Sequence, residues 1–310
     1  MGCGGDPGKG RPHTTARRAA MRWRSRLTPW LYIGPTLLIL GAYLVYPTLS
    51  TLYLSFFDKR SENFVGLENY RWVFTSSAMH VAFRNNLLWI VLFTGLTVSL
   101  GLILAVMADR VRYESPVKSA IFLPMAISFV GAGVIWLFVY AYRPPDTPQI
   151  GLLNAIWTGL FRQEPVGWLQ NRATSNFGLI AVGVWIWTGF CMVILSAAYK
   201  SIPRELLEAA RVDGANEWQV FWRIIIPTMK PTLAVVTTTM IINVLKVFDI
   251  VYVMTNGNYG TEVIANRMYK EMFHFHNFGR ASAIAVILLL AIIPVMMVNI
   301  RRFQEQEALR

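Results

Sequence analysis

Charge is scarce in this chain. Asp, Glu, Lys and Arg make up 15% of its 310 residues, against about 25% in an average soluble domain, which argues against a solvated globule. Two cysteines, Cys3 and Cys191, cannot build a disulfide framework. Of four histidines, His274 and His276 stand two apart with no cysteine beside them. That is not a zinc-binding set, and we read the pair as interfacial. No Ser/His/Asp order or carboxylate pair points to hydrolysis. A phosphate loop needs G-x-x-x-x-G-K-[ST], whose backbone donors cradle phosphates. Gly8–Lys9 is the nearest approach, and Gly10 stands where Ser or Thr is required. The sequence holds no ATPase motif of its own.

What the chain has is apolar length. It is 55% apolar, with a mean hydropathy of +0.43. Charge-free runs cover 27–57, 85–108, 119–142, 173–199 and 281–300, and a sixth, 231–258, is interrupted only by Lys246 and Asp249. Each reaches the ~20 residues that cross a bilayer core. Backbone in hydrocarbon must satisfy its own hydrogen bonds, so the runs are helices. The expected class is all-α, a polytopic membrane protein with six transmembrane helices.

The formal charge of +12 follows topology. Lys9, Arg11, Arg17, Arg18, Arg22, Arg24 and Arg26 precede the first run and face one acid, Asp6. Further cations gather at 109–118, 200–230 and the carboxyl tail. With six crossings these segments share one side, the positive-inside pattern, so both termini are expected in the cytoplasm. The partner implied is membrane lipid, not nucleic acid. Residues 1–26 read as a disordered basic tail with Met21 a candidate start, 27–302 as the transmembrane domain, and 303–310 as a second cytoplasmic tail. The first run is too long for a signal-peptide core and lacks an A-x-A site, so it stays as an anchor.

The segments 58–84, 143–172 and 255–280 fall on the outer side. FVGLENYRWVF is a glycine turn followed by an amphipathic stretch. RPPDTP is a rigid entry, since proline fixes φ and removes a donor, and GLLNAIWTGLF then reads as a short surface helix. Tyr140, Tyr142, Trp157 and Trp168 suit an interfacial belt. Membrane anchoring and docking of an external partner both remain open for these loops.

The inner segment 201–230 is unusual for so apolar a chain. Residues 203–213 predict a short helix with Pro203 in its first turn and Glu205 and Glu208 early, as the macrodipole favours. Gly214 suits a left-handed helix end, and Asn216 with Gln219 resembles a capping box. Trp218, Phe221, Trp222 and Ile225 fall on one stripe, and Pro227 and Pro231 are expected to stop that helix before the fifth span. Ala209 and Ala210 would let another surface approach closely. A plain linker and a docking socket both fit the pattern.

EAA at 208–210, then Gly214, Ile224 and Pro227, resembles the EAA motif of ABC importer permeases (E-A-A-x3-G-x9-I-x-L-P), with Ile226 where Leu is usual. The segments YKSIPRELLEAARVDGA, IFLP and FDIVYVMTNG are similar to the carbohydrate-uptake, MalF/MalG-like subgroup, and Asn258-Tyr259-Gly260 looks most like α-glucoside permeases. The resemblance implies a type I (MetI-like) permease fold in the bacterial plasma (inner) membrane. It implies ATPase coupling through Glu208, Ala209, Ala210, Asp213, Gly214, Ile224 and Pro227. The implied partners are a second permease subunit, two ATPase subunits that use ATP and Mg, and an extracytoplasmic sugar-binding protein, with no cofactor bound by this chain.

Lys246 and Asp249 stand at i, i+3, so on one helix they would share a face and pair, as a structural lock or as a polar wall for a hydroxyl-rich solute. Trp185, Trp187 and Phe190 are platforms on which sugar C–H faces stack. The likeness to maltose permease places substrate contacts at Gly183, Trp187 and Phe190; its fifth-span contacts fall near Met240, Val244 and Val247, apolar here, and Asn243 is a further polar candidate. The reading is a permease subunit of an ATP-driven importer of an oligosaccharide or α-glucoside. Its rivals are a permease for a polyol, glycerol phosphate or an osmolyte glucoside, and a stand-alone secondary carrier.

Overall fold

The computed structural model describes Gly2, residues 29–109 and residues 111–308. The cations of the basic tail, with Cys3 and Met21, lie outside them. Helix α1, Pro29–Leu54, is 26 residues long, and none of its apolar window is buried. It contains a π turn at Gly41–Val45.

From Leu54 onward the chain forms a separate compact unit. Its helices are α2 (Glu68–Thr75), α3 (Ser77–Ala108), α4 (Glu114–Ala126), α5 (Phe129–Val139), α6 (Leu152–Phe161), α7 (Ser175–Lys200), α8 (Arg204–Val212), α9 (Glu217–Leu245), α10 (Asp249–Met254), α11 (Ile264–Tyr269) and α12 (Phe278–Ala308). Among the described residues five helices are long and apolar enough to cross a membrane, or six if the bent pair α4–α5 is one crossing. The helix α12 continues to Ala308, past the boundary expected at 302.

The centre of this unit is the pairing of α3 with α7. Trp89, Phe93, Leu102 and Ala105 pack with Leu179, Ile186, Met192 and Leu195 in one buried cluster. In hydrocarbon such contacts hold helices by close fit, since lipid tails are as apolar as leucine. The fit is set by Gly101, where an added Cβ would fall 2.6 Å from Cβ of Cys191. Cys191 itself is fully buried and packs as a small apolar residue.

Two runs that read as simple spans are not. The third is broken into α4 and α5, bent by 100°. A 3-10 turn at Leu123–Ala126 around Pro124 ends the first arm, and Ser128 caps the second by accepting the Gly131 N–H at 3.1 Å. The fifth starts earlier than 231 and ends earlier than 258, because α9 runs unbroken through Pro227 and Pro231 and stops at Leu245.

Asparagines tie the connecting loops to this frame. Asn85 donates to the carbonyls of Gly260 (2.7 Å) and Glu262 (2.8 Å), while Asn86 accepts the Ile264 N–H at 2.9 Å. The buried Asn154 on α6 accepts from Val166 N–H (2.9 Å) and Trp168 Nε1 (3.0 Å) and donates to Ala141 and Val166 carbonyls. The surface helix expected from GLLNAIWTGLF is therefore bound to the bundle by a filled hydrogen-bond set.

At the start of α12 a Cβ on Gly279 would fall 2.0 Å from the Phe57 carbonyl oxygen and 2.8 Å from Asn69 Nδ2. Both are held, because Asn69 donates to the Ser55 (2.9 Å) and Phe57 (2.7 Å) carbonyls. Gly279→Ala is expected to cost at least the ~1–3 kcal/mol of overpacking. A thermal unfolding midpoint in detergent equal to wild type would refute this.

Candidate functional site

The segment expected to couple folds as helix, turn, helix. Pro203 is the N-cap of α8, with ψ 130°, so it precedes the first turn rather than sitting in it. Leu207 anchors α8 in the core, while Glu205, Glu208, Ala209 and Val212 are exposed on one face. Asp213 follows, also exposed, and Ala210 is half-buried. The helix ends in a Schellman turn: Ala215 N–H donates to the Ala210 carbonyl (3.0 Å) and Gly214 N–H to that of Arg211 (3.1 Å). This needs a left-handed residue at Gly214, whose φ is +84°, and glycine takes that conformation without strain.

Arg211 Nε donates to Glu217 Oε1 across the turn at 2.8 Å, and this bond raises the Arg211 pKa further above its ordinary value. The capping box is present: Gln219 N–H donates to Asn216 Oδ1 (2.8 Å), and Asn216 N–H to Gln219 Oε1 (2.9 Å).

A π turn, Phe221–Ile225, follows, closed by Ile226 N–H on the Phe221 carbonyl. The α register resumes there, so Pro227 falls in a fresh first turn where its missing N–H costs nothing. That is why Pro227 does not stop α9; Pro231 lies inside the helix, where a membrane span tolerates proline. The apolar stripe is also split: Ile225 is buried, whereas Trp218 and Trp222 are exposed and in edge contact at 5.6 Å. Ile224 packs on the core and Pro227 is exposed.

A second feature lies deeper. Gly183, Trp187, Asn243, Lys246 and Asp249 line one cleft of about 110 Å³, smaller than the ~300–1,000 Å³ of a whole small-molecule site. Gly183 keeps the wall thin, since a Cβ there would meet the Phe93 ring at 3.0 Å. Trp187 stacks on Phe129 (centroids 6.0 Å, 21°) and meets Phe190 edge-on at 5.5 Å. Phe190 thus backs the platform and is not part of the lining.

The Lys246–Asp249 pairing does not occur. The span breaks between them: Lys246 is the C-cap of α9 and Asp249 the first residue of α10. No shared helix face exists, and neither side chain joins an ion pair among the described residues. Both side chains instead line the cleft. Asn243 Nδ2 donates back to the Thr239 carbonyl at 2.9 Å.

A family model described as "Binding-protein-dependent transport system inner membrane component" matches residues 97–306, which include both the turn and the cleft's α7, α9 and α10 walls. The chain belongs to this family. A Synechocystis protein named osmoprotective compounds uptake permease protein GgtC is 68% identical over 90% of this chain and 100% of its own length. The Rhizobium meliloti alpha-glucoside transport system permease protein AglF is 46% identical over 95% of this chain and 88% of its own. A permease-fold chain in the crystal structure of a bacterial ABC transporter that imports alginate matches with a TM-score of 0.76 at 23% identity, over 91% of this chain and 99% of that one. The fold is therefore that of an ABC importer permease, a membrane transport component.

Sequence reasoning missed Trp89, Phe93 and Phe129 in the cleft wall. Phe129 had a signal, because it directly follows Ser128, the cap of a helix that Pro124 forces to restart. Trp89 and Phe93 had none. A tryptophan in an apolar run does not announce which neighbour it faces.

Proposed function

We propose that this permease forms half of the translocation pathway of an ATP-driven importer for α-glucosides. The other half is a second permease subunit. Two ATPase subunits bring the ATP and Mg, and one of them seats on the exposed patch Glu208, Ala209, Asp213 and Gly214, with Ala210, Ile224 and Pro227 shaping the turn. An extracytoplasmic binding protein delivers the sugar to the outer loops. Both termini and α8 lie in the cytoplasm, in keeping with the positive-inside charge pattern, and the chain holds no cofactor.

The observation that carries the substrate class is the cleft. One wall is the Trp187–Phe129 platform and the rim is Asn243, Lys246 and Asp249. Aromatic faces beside a few convergent polar groups suit a ring with an apolar face and many hydroxyls. The relative named for alpha-glucoside transport favours an α-glucoside, and the one named for osmoprotective compounds, at 68% identity, favours a small osmolyte over a long oligosaccharide.

In operation, ATPase closure would move α8 and bias the bundle between inward-open and outward-open states, each with different contacts to the sugar. The test is copurification with the genomically neighbouring ATPase and binding protein, then uptake into liposomes. Trehalose or sucrose in tenfold excess should block uptake of a labelled α-glucoside, whereas sorbitol and glycerol phosphate should not. If no ATPase copurifies and the chain alone moves solute down an ion gradient, the proposal fails in favour of a secondary carrier.

A further inference from the structure

The coupling turn and the cleft are joined by a polar node. The carboxylate of Glu114, first residue of α4, accepts from Lys200 Nζ at 2.6 Å and from Lys118. Lys118 also donates to Ser196 Oγ, and Lys200 lies 3.6 Å from Asp109 at the end of α3. The ends of α4 and α7 thus meet on one carboxylate that is about a quarter exposed, at 28%, and the end of α3 joins them through Lys200.

On one side the node is tied to the coupling helix. Lys200 ends α7, and α8 starts four residues on. The link is tight: Ser201 and Ile202 N–H groups bond back to Ala198 (3.2 Å) and Tyr199 (3.1 Å), and Ile202 is buried. A displacement of α8 has little slack to take up before it reaches Lys200.

On the other side the node is tied to the cleft. Helix α4 is about 20 Å long at 1.5 Å per residue. It lies directly on α7, since a Cβ on Gly189 would fall 2.4 Å from the Ile121 carbonyl oxygen and 2.6 Å from Phe122 Cα. Past the 100° elbow the next helix opens with Phe129, stacked on Trp187 in the cleft. One rigid strut therefore runs from an ion-pair joint beside the coupling helix to the sugar platform.

We propose that Glu114 is a positioning residue for transport: by gripping Lys200 and Lys118 it makes α4 follow the coupling helix, so that ATPase closure reaches Phe129. This rests on the ATPase-coupling reading above. A plain stabilising pair would instead affect folding and leave the motion intact.

The test uses the assembled importer, with spin labels at Ile135→Cys on α5 and Phe177→Cys on α7 in a chain carrying Cys3→Ser and Cys191→Ala. Trapping with ATP and vanadate should change the label distance by a few Å in the otherwise native chain. Glu114→Gln should reduce the switched fraction about three- to fivefold, with ATPase recruitment and basal ATP hydrolysis unchanged. Glu114→Asp, which keeps the charge, should restore most of it. Glu114→Gln/Lys200→Met should be no worse than the poorer single variant, since both remove one interaction.

A Glu114→Gln complex that switches like wild type overturns the proposal. So does one that loses its ATPase, because the defect then lies in assembly. If the labelled wild type recruits no ATPase at all, the coupling reading falls and this inference with it.

Discussion

Gly214→Val should reduce ATPase recruitment about tenfold while the chain still inserts and folds. The residue's φ is +84° and an added Cβ would meet nothing within 4 Å, so the objection is conformational and not steric. A β-branched residue is the worst tenant of the left-handed region, at a cost near ~1–2 kcal/mol, and ~1.4 kcal/mol is tenfold in an equilibrium. That cost falls on the bonds from Ala215 N–H to Ala210 and from Gly214 N–H to Arg211. It is relieved by opening the turn, which re-aims Glu208 and Ala209. Gly214→Asn, which tolerates that region, should keep most of the recruitment. Quantitative pull-down decides the matter: equal recruitment by the Val and Asn variants would show that the turn's handedness does not set the docking surface.

Trp187→Ala should cut uptake of subsaturating α-glucoside about tenfold or more, with recruitment intact. The change removes the platform and its contacts with Phe129 and Phe190, and aromatic pairs are each worth ~0.5–1.5 kcal/mol beyond buried area. The cleft would widen and its polar rim would lose the surface against which a ring is oriented. Trp187→Phe should lose far less. Initial-rate uptake over a range of sugar concentrations checks this. Wild-type rates in the alanine variant would remove the cleft from the pathway. A parallel loss of ATPase would make Trp187 structural only.

How much was legible follows from which constraints are local. Helix class, the crossings, the Gly214 turn and the Asn216–Gln219 box were readable because bilayer thickness, left-handed φ and capping act within a few residues. The elbow at Ile127–Ser128 was missed although Pro124 and Ser128 mark it, since apolar composition is the same on a straight span and a broken one. Pro227 misled for a related reason: proline forbids one hydrogen bond, and the π turn before it had already surrendered that bond. Pro231 misled because an interior proline is tolerated in a membrane span. Lys246 and Asp249 line one cleft without the shared helix face that was expected, because a break in the helix lies between them. The Glu114 node was invisible, as residues 114 and 200 meet only through tertiary packing.

The π turn at Phe221–Ile225 has a meaning for chain length. In an α-helix each residue advances the spiral by about 100°, so one extra residue held inside a wider turn offsets all that precedes it against all that follows. The proposed docking patch and the span of α9 are dialled relative to each other by that count. Substitutions along this stretch can be absorbed one at a time, whereas a single-residue deletion would turn the patch roughly a quarter of a circle without touching any residue in it. In this segment spacing is as much a functional specification as identity.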